Sequence, residues 1–286
     1  MIRTSQAHLH IAALSHAGVA GKNNEDRYAV SAFRFSADDP RPVVFAVVAD
    51  GIGGHRAGEV AAELAVNYIS QRVAESIPRK PLQTLEDAIH NASQAIAAHS
   101  ASKTEQRGMG STCACALIID RALYTAHVGD SRIYHIRGQQ IRRLTLDHTW
   151  VQEAIEKGLL DAEQARHHPN VHVIRRYLGS VHLPEVDFRM WLDGSGKDED
   201  ALANQGFELE GGDILLLCTD GLTDLVWDDE ILGLVRSGPD LKAAAAGLVD
   251  LANQRGGYDN ITVVLISVPH YRLSPKKKWF SWLLGE

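Results

Sequence analysis

Several carboxylates sit where apolar segments give way to glycine-bearing turns. Asp50 closes the run Val43–Ala49 and precedes Gly51. Asp220 closes Asp213–Cys218 and precedes Gly221, and Asp130 lies in the turn Gly129-Asp130-Ser131. Asp259-Asn260 stands just before the apolar run Ile261–Val268, and Glu25-Asp26 just before the short run Tyr28-Ala29-Val30. A strand end is a rigid place from which to aim a carboxylate. The neighbouring glycine lets the backbone approach closely, so that its carbonyl can also act as a ligand. If these ends converge, they form an oxygen-only cage, which suits hard octahedral ions such as Mg²⁺ or Mn²⁺. Asp-Gly is also a common turn dipeptide, so each site taken alone has a structural reading. The cysteines and histidines show no zinc spacing. Cys113 and Cys115 would lie on one face of a strand, which reads as core.

The elements that carry these residues follow from periodicity. Val43–Ala49 is a continuous β-branched run and predicts a buried strand. Gly51–Gly54 reads as a flexible loop. A helix follows, with Val60, Leu64 and Tyr68 beside Ala61, Ala65 and Ile69, and a second carries Leu85, Ile89, Ala92 and Ile96 on one stripe. Thr112–Ile119, Leu123–Val128 and Arg132–Ile136 read as strands, with short connections that predict antiparallel neighbours. Ile141–Leu146 and Val186–Leu192 are further strand candidates. Asp147–Leu178 reads as polar and helical, broken at Gly158 and Pro169, and Asp193–Gln205 as an exposed loop. Leu241–Gln254 is an alanine-rich helix. Strands in antiparallel runs and helices in pairs predict an α+β fold with helical layers over stacked sheets.

Taken together, the motifs resemble the metal-dependent protein phosphatases of the protein phosphatase 2C family, in particular its compact bacterial members. The matching segments run in order. They are Asn24-Glu25-Asp26, Ala49–Gly54, Gly110-Ser111-Thr112, His127–Arg132, Leu144–His148, Ile174–Gly179, Leu217–Asp224 and Asp259–Thr262. The resemblance covers roughly residues 9–268. It implies a four-layer α-β-β-α sandwich, two antiparallel β-sheets flanked by pairs of helices. It also implies hydrolysis of phosphoserine and phosphothreonine in proteins by a water bridging two Mn²⁺ or Mg²⁺ ions. Under the same resemblance, Asp50 bridges both ions, Glu25 and the Gly51 carbonyl complete one shell, and Asp220 and Asp259 complete the other. Asp26 holds metal-bound water. Asp130 and Asp224, with Asp220, form a weaker third-ion site. Acids packed this way without metal repel strongly, so the metal-free site is expected to be destabilised.

The chain departs from the family pattern at two places. Many members carry a phosphate-binding arginine where this chain has Gly21. Lys22 beside it can supply the charge but not the bidentate fork. Some members carry a general-acid histidine where this chain has Ile52. His55 is three residues on and reads as a loop residue. His148 is expected to make a structural hydrogen bond near a helix start. His167-His168 falls in the region resembling the family's flap and is expected on an exposed turn.

Composition narrows the remaining classes. The 286 residues include 29 Lys+Arg against 36 Asp+Glu, a formal charge of −7, which argues against a nucleic-acid partner. Three cysteines are not a disulfide framework, and neither a signal peptide nor a membrane span is expected, so a cytoplasmic location follows. We expect one catalytic domain over 1–270 and a basic and aromatic tail over 271–286. That tail holds Pro275-Lys276-Lys277-Lys278 before Trp279-Phe280, a pattern suited to weak membrane or partner contact. The expected partners are phosphorylated proteins and a Ser/Thr kinase counterpart. A non-catalytic phosphoprotein-binding scaffold and a metal-dependent hydrolase of small phosphate esters are the competing functions.

Overall fold

The structure is a computed structural model and describes residues 1–21, 23–53, 57–192 and 197–270. The chain opens with β1 (Ile2–Arg3), β2 (His10–His16), β3 (Arg27–Arg34), β4 (Pro42–Ala49) and the short β5 (Gly51–Ile52). Two long helices follow, α1 (Ala57–Glu75) and α2 (Pro81–Ser102). Then come β6 (Gly110–Ser111), β7 (Cys113–Ile119), β8 (Ala122–Val128), β9 (Arg132–Arg137) and β10 (Gln140–Arg143). Short helices α3 (Trp150–Glu156), α4 (Ala162–Arg166) and α5 (Asp198–Ala203) precede β11 (Phe207–Glu208) and β12 (Ile214–Cys218). The last elements are α6 (Asp220–Thr223), α7 (Asp228–Ser237), α8 (Leu241–Gln254) and β13 (Ile261–Ser267).

The strands form two large sheets, ordered β1-β3-β4-β7-β8-β11 and β10-β9-β12-β13-β2, and every pair within them is antiparallel. The uninterrupted apolar character of β4 explains the layering. Successive side chains of a strand point to opposite faces, so a strand apolar at every position must be covered twice. Val43, Phe45, Val47 and Ala49 pack against α1 and α2, with Ile69, Leu85, Ile89 and Ile96. Val44, Ala46 and Val48 point the other way, into a core shared with Leu215 and Leu217 of β12 and Val264 and Ile266 of β13. The far face of the second sheet is covered by α7 and α8 through Ile231, Leu248 and Val249. This is the four-layer α-β-β-α sandwich. Each large apolar side chain so covered contributes on the order of 1.5–3 kcal/mol by burial. The three cysteines are free and buried within these layers, as their strand positions led one to expect.

Pro81 opens α2 at a position where a missing N–H costs nothing. Asp240 caps α8 by accepting from the Ala243 N–H at 2.8 Å. The apolar stripe of α1 is partly different from its sequence expectation: Ala61, Ala65 and Ile69 are buried, whereas Tyr68 remains exposed.

Five expectations need correction. β8 and β9 are not neighbours, because Gly129-Asp130-Ser131 carries the chain from one sheet to the other. Gly51 and Ile52 pair with Ser111 and Gly110 rather than forming a free loop. Within Asp193–Gln205, residues 193–196 lie outside the described residues, 198–203 form α5 with Ala201 buried, and Gln205 is tied to Thr125 and Phe188. Val186–Leu192 makes only an isolated bridge, Asp187 to His127. Between Asp147 and Leu178 only α3 and α4 are helical.

Candidate metal centre

The register of the sheets brings the acidic strand ends to one edge. Arg27 at the start of β3 pairs with Ala49 at the end of β4, so Glu25-Asp26 and Asp50 emerge together. In the second sheet Cys218 pairs with both Val263 and Arg132, which places Asp220, Asp259 and Asp130 at a common end. The two sheets stack through their shared core, and the two sets of acids meet between them.

The acids face one another closely. Burial and the neighbouring Asp220, Asp26 and Asp130 push the Asp50 carboxyl well above the usual range. Burial and then Asp220, Asp147 and Asp224 do the same to Asp130. Asp220 is raised by burial and by Asp259, even though it shares a hydrogen bond with Asp50. Asp26 is pushed up to about 7 by burial, with Asp220 and Asp259 adding to the effect and Thr219 and Thr262 opposing it. Asp224 also rises to about 7, by burial and Asp220. Glu25 and Gly51 meet over the first turn of α1. A Cβ added at Gly58 would stand 2.5 Å from the Gly51 carbonyl oxygen and 2.6 Å from Glu25 Oε2. Only glycine fits there, and it leaves both oxygens room to share a partner.

Oxygens without donors test whether this set fits a metal. Asp26 Oδ1, Asp130 Oδ1 and Asp220 Oδ1 are all buried and have no hydrogen-bond partner. Unpaired buried carboxylate oxygens are costly unless a cation satisfies them. All the predicted donors are hard oxygens, so the arrangement fits Mg²⁺ or Mn²⁺ rather than a soft-ligand ion.

A ring of neutral groups aims these carboxylates; its residues lie in the matching segments, but spacing assigns them no role. The Thr219 hydroxyl donates to Asp26 Oδ2 at 2.7 Å and accepts from the Thr262 N–H at 3.0 Å. The Asp50 N–H donates to Thr112 Oγ1 at 2.9 Å, and that hydroxyl is 2.7 Å from Ser131 Oγ. The Ser111 hydroxyl donates to the Asp50 carbonyl. The Glu25 N–H donates to Asn260 Oδ1 at 2.7 Å. Gly129 packs on Thr112 at a positive φ of 107°, and a Cβ there would stand 2.6 Å from Thr112 Cγ2. Part of this ring has a sequence signal: a hydroxyl or amide residue adjoins some of the acids, as in Asn24-Glu25, Asp130-Ser131, Thr219-Asp220 and Asp259-Asn260, whereas Ser111-Thr112 reaches Asp50 only through the fold.

His148 makes the structural contact expected of it. It accepts the Gly129 N–H at Nδ1 over 3.0 Å, which fixes Nε2 as the protonated nitrogen facing Asp187 Oδ2 at 3.3 Å. His127 stacks on it at 4.6 Å and donates from Nε2 to the Leu146 carbonyl. Burial, then His148, lowers the His127 pKa to about 4, so that ring is neutral at physiological pH. Asp187 is also held by Arg189. This His-His-Asp group is a brace behind the Asp130 turn. Arg132, the residue after Ser131, forks onto Asp147 at 2.9 and 2.6 Å. His168 stacks on Trp150 at 4.7 Å. Lys22 and His55 lie outside the described residues.

The fold agrees with comparisons to known proteins. Residues 15–261 match the family model described as Protein phosphatase 2C. The chain is 34% identical over 248 residues to the serine/threonine phosphatase Stp of Listeria monocytogenes, covering 85% of this chain and 90% of that one. It superposes on the serine/threonine phosphatase PstP/Ppp of Mycobacterium tuberculosis with a TM-score of 0.75 at 32% identity, covering 92% of this chain and 99% of the other. A structure of the PstP catalytic domain in complex with two manganese ions gives a TM-score of 0.73 at 32% identity, over 91% of this chain and 98% of that one. This chain therefore belongs to the protein phosphatase 2C family.

Proposed function

We propose that this protein hydrolyses phosphoserine and phosphothreonine in proteins, using two Mn²⁺ or Mg²⁺ ions. The observation that carries the reading is the convergence of buried carboxylates, three of which present an oxygen with no protein donor. In this reading Asp50, Glu25, the Gly51 carbonyl, Asp220 and Asp259 would hold the two ions, with Asp50 common to both, Glu25 and Gly51 serving one and Asp220 and Asp259 the other. When bound, the ions lower the pKa of water and supply positive charge against the phosphoryl oxygens.

The remaining work falls to the chain's own residues. Thr112 fixes the Asp50 backbone, so the shared carboxylate is aimed before substrate arrives. Thr219 occupies Asp26 Oδ2, leaving Oδ1 to orient the attacking water and accept its proton. Ile52 has no ionisable proton to give, so the leaving alkoxide takes its proton from water or from another group. Lys22 supplies charge to the substrate phosphate where the family arginine is absent. Asp130 and Asp224 form the peripheral third-ion site.

Residues 1–270 constitute the catalytic domain, and 271–286 a tail that makes weak membrane or partner contact. Among the described residues no helix is long and apolar enough to cross a membrane. The protein acts in the cytoplasm, on phosphoproteins made by a Ser/Thr kinase counterpart.

One assay tests the reaction and its alternatives. A phosphothreonine peptide and p-nitrophenyl phosphate are each offered with Mn²⁺, with chelator, and with Asp220→Ala. The expected result is Mn²⁺-dependent release from the peptide, lost with chelator and in the variant. Turnover of the small ester alone would overturn the protein-substrate reading, and no turnover of either would support a scaffold.

A further inference from the structure

We propose that His172 is a third protein ligand of the peripheral ion site, closing Asp220 and Asp224 into a mixed oxygen and nitrogen site. The proposal rests on the two-ion reading given above and extends it to a residue outside the family motifs.

Asp220 opens α6 and Asp224 caps its C-terminal end one turn on, joined by the Asp224 N–H to Asp220 carbonyl bond at 2.8 Å, so they share a face. His172 faces them from the segment between α4 and β11. Its Nδ1 stands 3.4 Å from Asp224 Oδ2. One nitrogen of His172 and one carboxylate oxygen each of Asp220 and Asp224 all lie within 4.8 Å of one another. Ligand atoms at about 2.1 Å from a divalent ion are separated by about 3–4.2 Å, so a small side-chain rotation completes the set. A second observation points to a cation here. Asp130 is only 5% exposed, and its Oδ1 has no hydrogen-bond partner. Asp220 and Asp224 are among the charges that act on it most strongly.

The backbone that carries His172 is held in place. The Trp150 N–H donates to the Val173 carbonyl at 2.9 Å, and the Val173 N–H to the Asn170 carbonyl at 3.1 Å. At α4, Arg166 donates to the carbonyls of Thr223 and Asp224 at 3.0 and 3.2 Å. Its guanidinium lies 3.6 Å over the Trp227 ring. Arg166 thus latches this segment to the turn that presents Asp224. An imidazole ligand also favours Mn²⁺ over Mg²⁺ at this site, because Mg²⁺ selects oxygen donors.

The test is pulsed electron paramagnetic resonance of untagged protein titrated with Mn²⁺, read for nitrogen modulation of the manganese echo. The core ligands proposed above are all oxygens, so nitrogen coupling has one source. The first two equivalents are expected to show none, and the third to show it. His172→Ala is expected to remove the coupling and to weaken the third equivalent at least about tenfold, while the first two bind as before. His172 is 67% exposed, so its replacement leaves the fold intact. A third equivalent without nitrogen coupling, or coupling that persists in His172→Ala, would overturn the proposal. Failure of the underlying two-ion reading looks different: the first two equivalents would not bind, and both readings would fall.

Discussion

Thr112 offers a sharp test of how the strand-end carboxylate is aimed. The residue is fully buried, and its hydroxyl serves the Asp50 N–H and Ser131 at once. Thr112→Val keeps the shape and removes both contacts. The stranded N–H costs about 1–3 kcal/mol, and the lost bond to Ser131 about 1 kcal/mol more. The sum, about 2–4 kcal/mol, converts to a fall in Tm on the order of 3–7 °C for a chain of this size. Thr112→Ser retains the hydroxyl and is expected to lose much less. Because Asp50 is re-aimed, the Mn²⁺ concentration for half-maximal activity should rise in the valine variant and stay near wild type in the serine one. Melting curves in chelator and a Mn²⁺ titration of phosphopeptide turnover measure both effects. A valine variant that melts within about 2 °C of wild type and keeps its Mn²⁺ response would refute the reasoning.

Further predictions concern the charges themselves. In the metal-free fold Asp26 and Asp224 hold their protons up to about pH 7, while the unfolded chain releases them near 4. The fold therefore binds more protons across that window, and metal-free stability falls as pH rises through it. Bound ions remove that dependence, so the rise in Tm on adding Mn²⁺ should be larger at pH 7.5 than at pH 5.5; equal shifts would contradict the account. Asp220→Asn relieves repulsion and should raise the metal-free Tm while abolishing the Mn²⁺ shift, both visible in one thermal scan series. Arg132→Lys keeps a charge but loses the fork onto Asp147, and about 1.5–3 kcal/mol of stability should go with it, as denaturant titration would show. Lys22→Ala should raise KM for a phosphothreonine peptide without changing kcat, and an unchanged KM would remove Lys22 from substrate binding.

The layers were legible where apolar patterning is unambiguous. Val43–Ala49 announces a strand covered on both faces, and Leu85, Ile89, Ala92 and Ile96 announce one buried helical stripe. The acids were visible because each interrupts an apolar run at a turn. Convergence was not readable from spacing, since it depends on register between strands far apart in sequence, such as Arg27 with Ala49. The resemblance to a family supplied that step. What stayed hidden was set by tertiary contacts. Gly129-Asp130-Ser131 looks like a hairpin turn, yet it changes sheets, because Arg132–Arg137 finds a better partner in β12 than in β8. The polar segment 198–203 forms a helix by burying a single alanine, a signal too weak to see in a charged stretch. The strand His10–His16 went unread because its burial is mixed, with Ile11 and Ala13 packed inward at a sheet edge. His172 had no motif to mark it, and only the fold brings it to Asp224.

The most direct test of the metal centre is anomalous diffraction at the manganese edge from crystals grown with Mn²⁺. Two strong peaks sharing Asp50 are expected, one also contacted by Glu25 and the Gly51 carbonyl, the other by Asp220 and Asp259. No peak between the two sheets, or peaks that leave Asp50 untouched, would contradict that assignment.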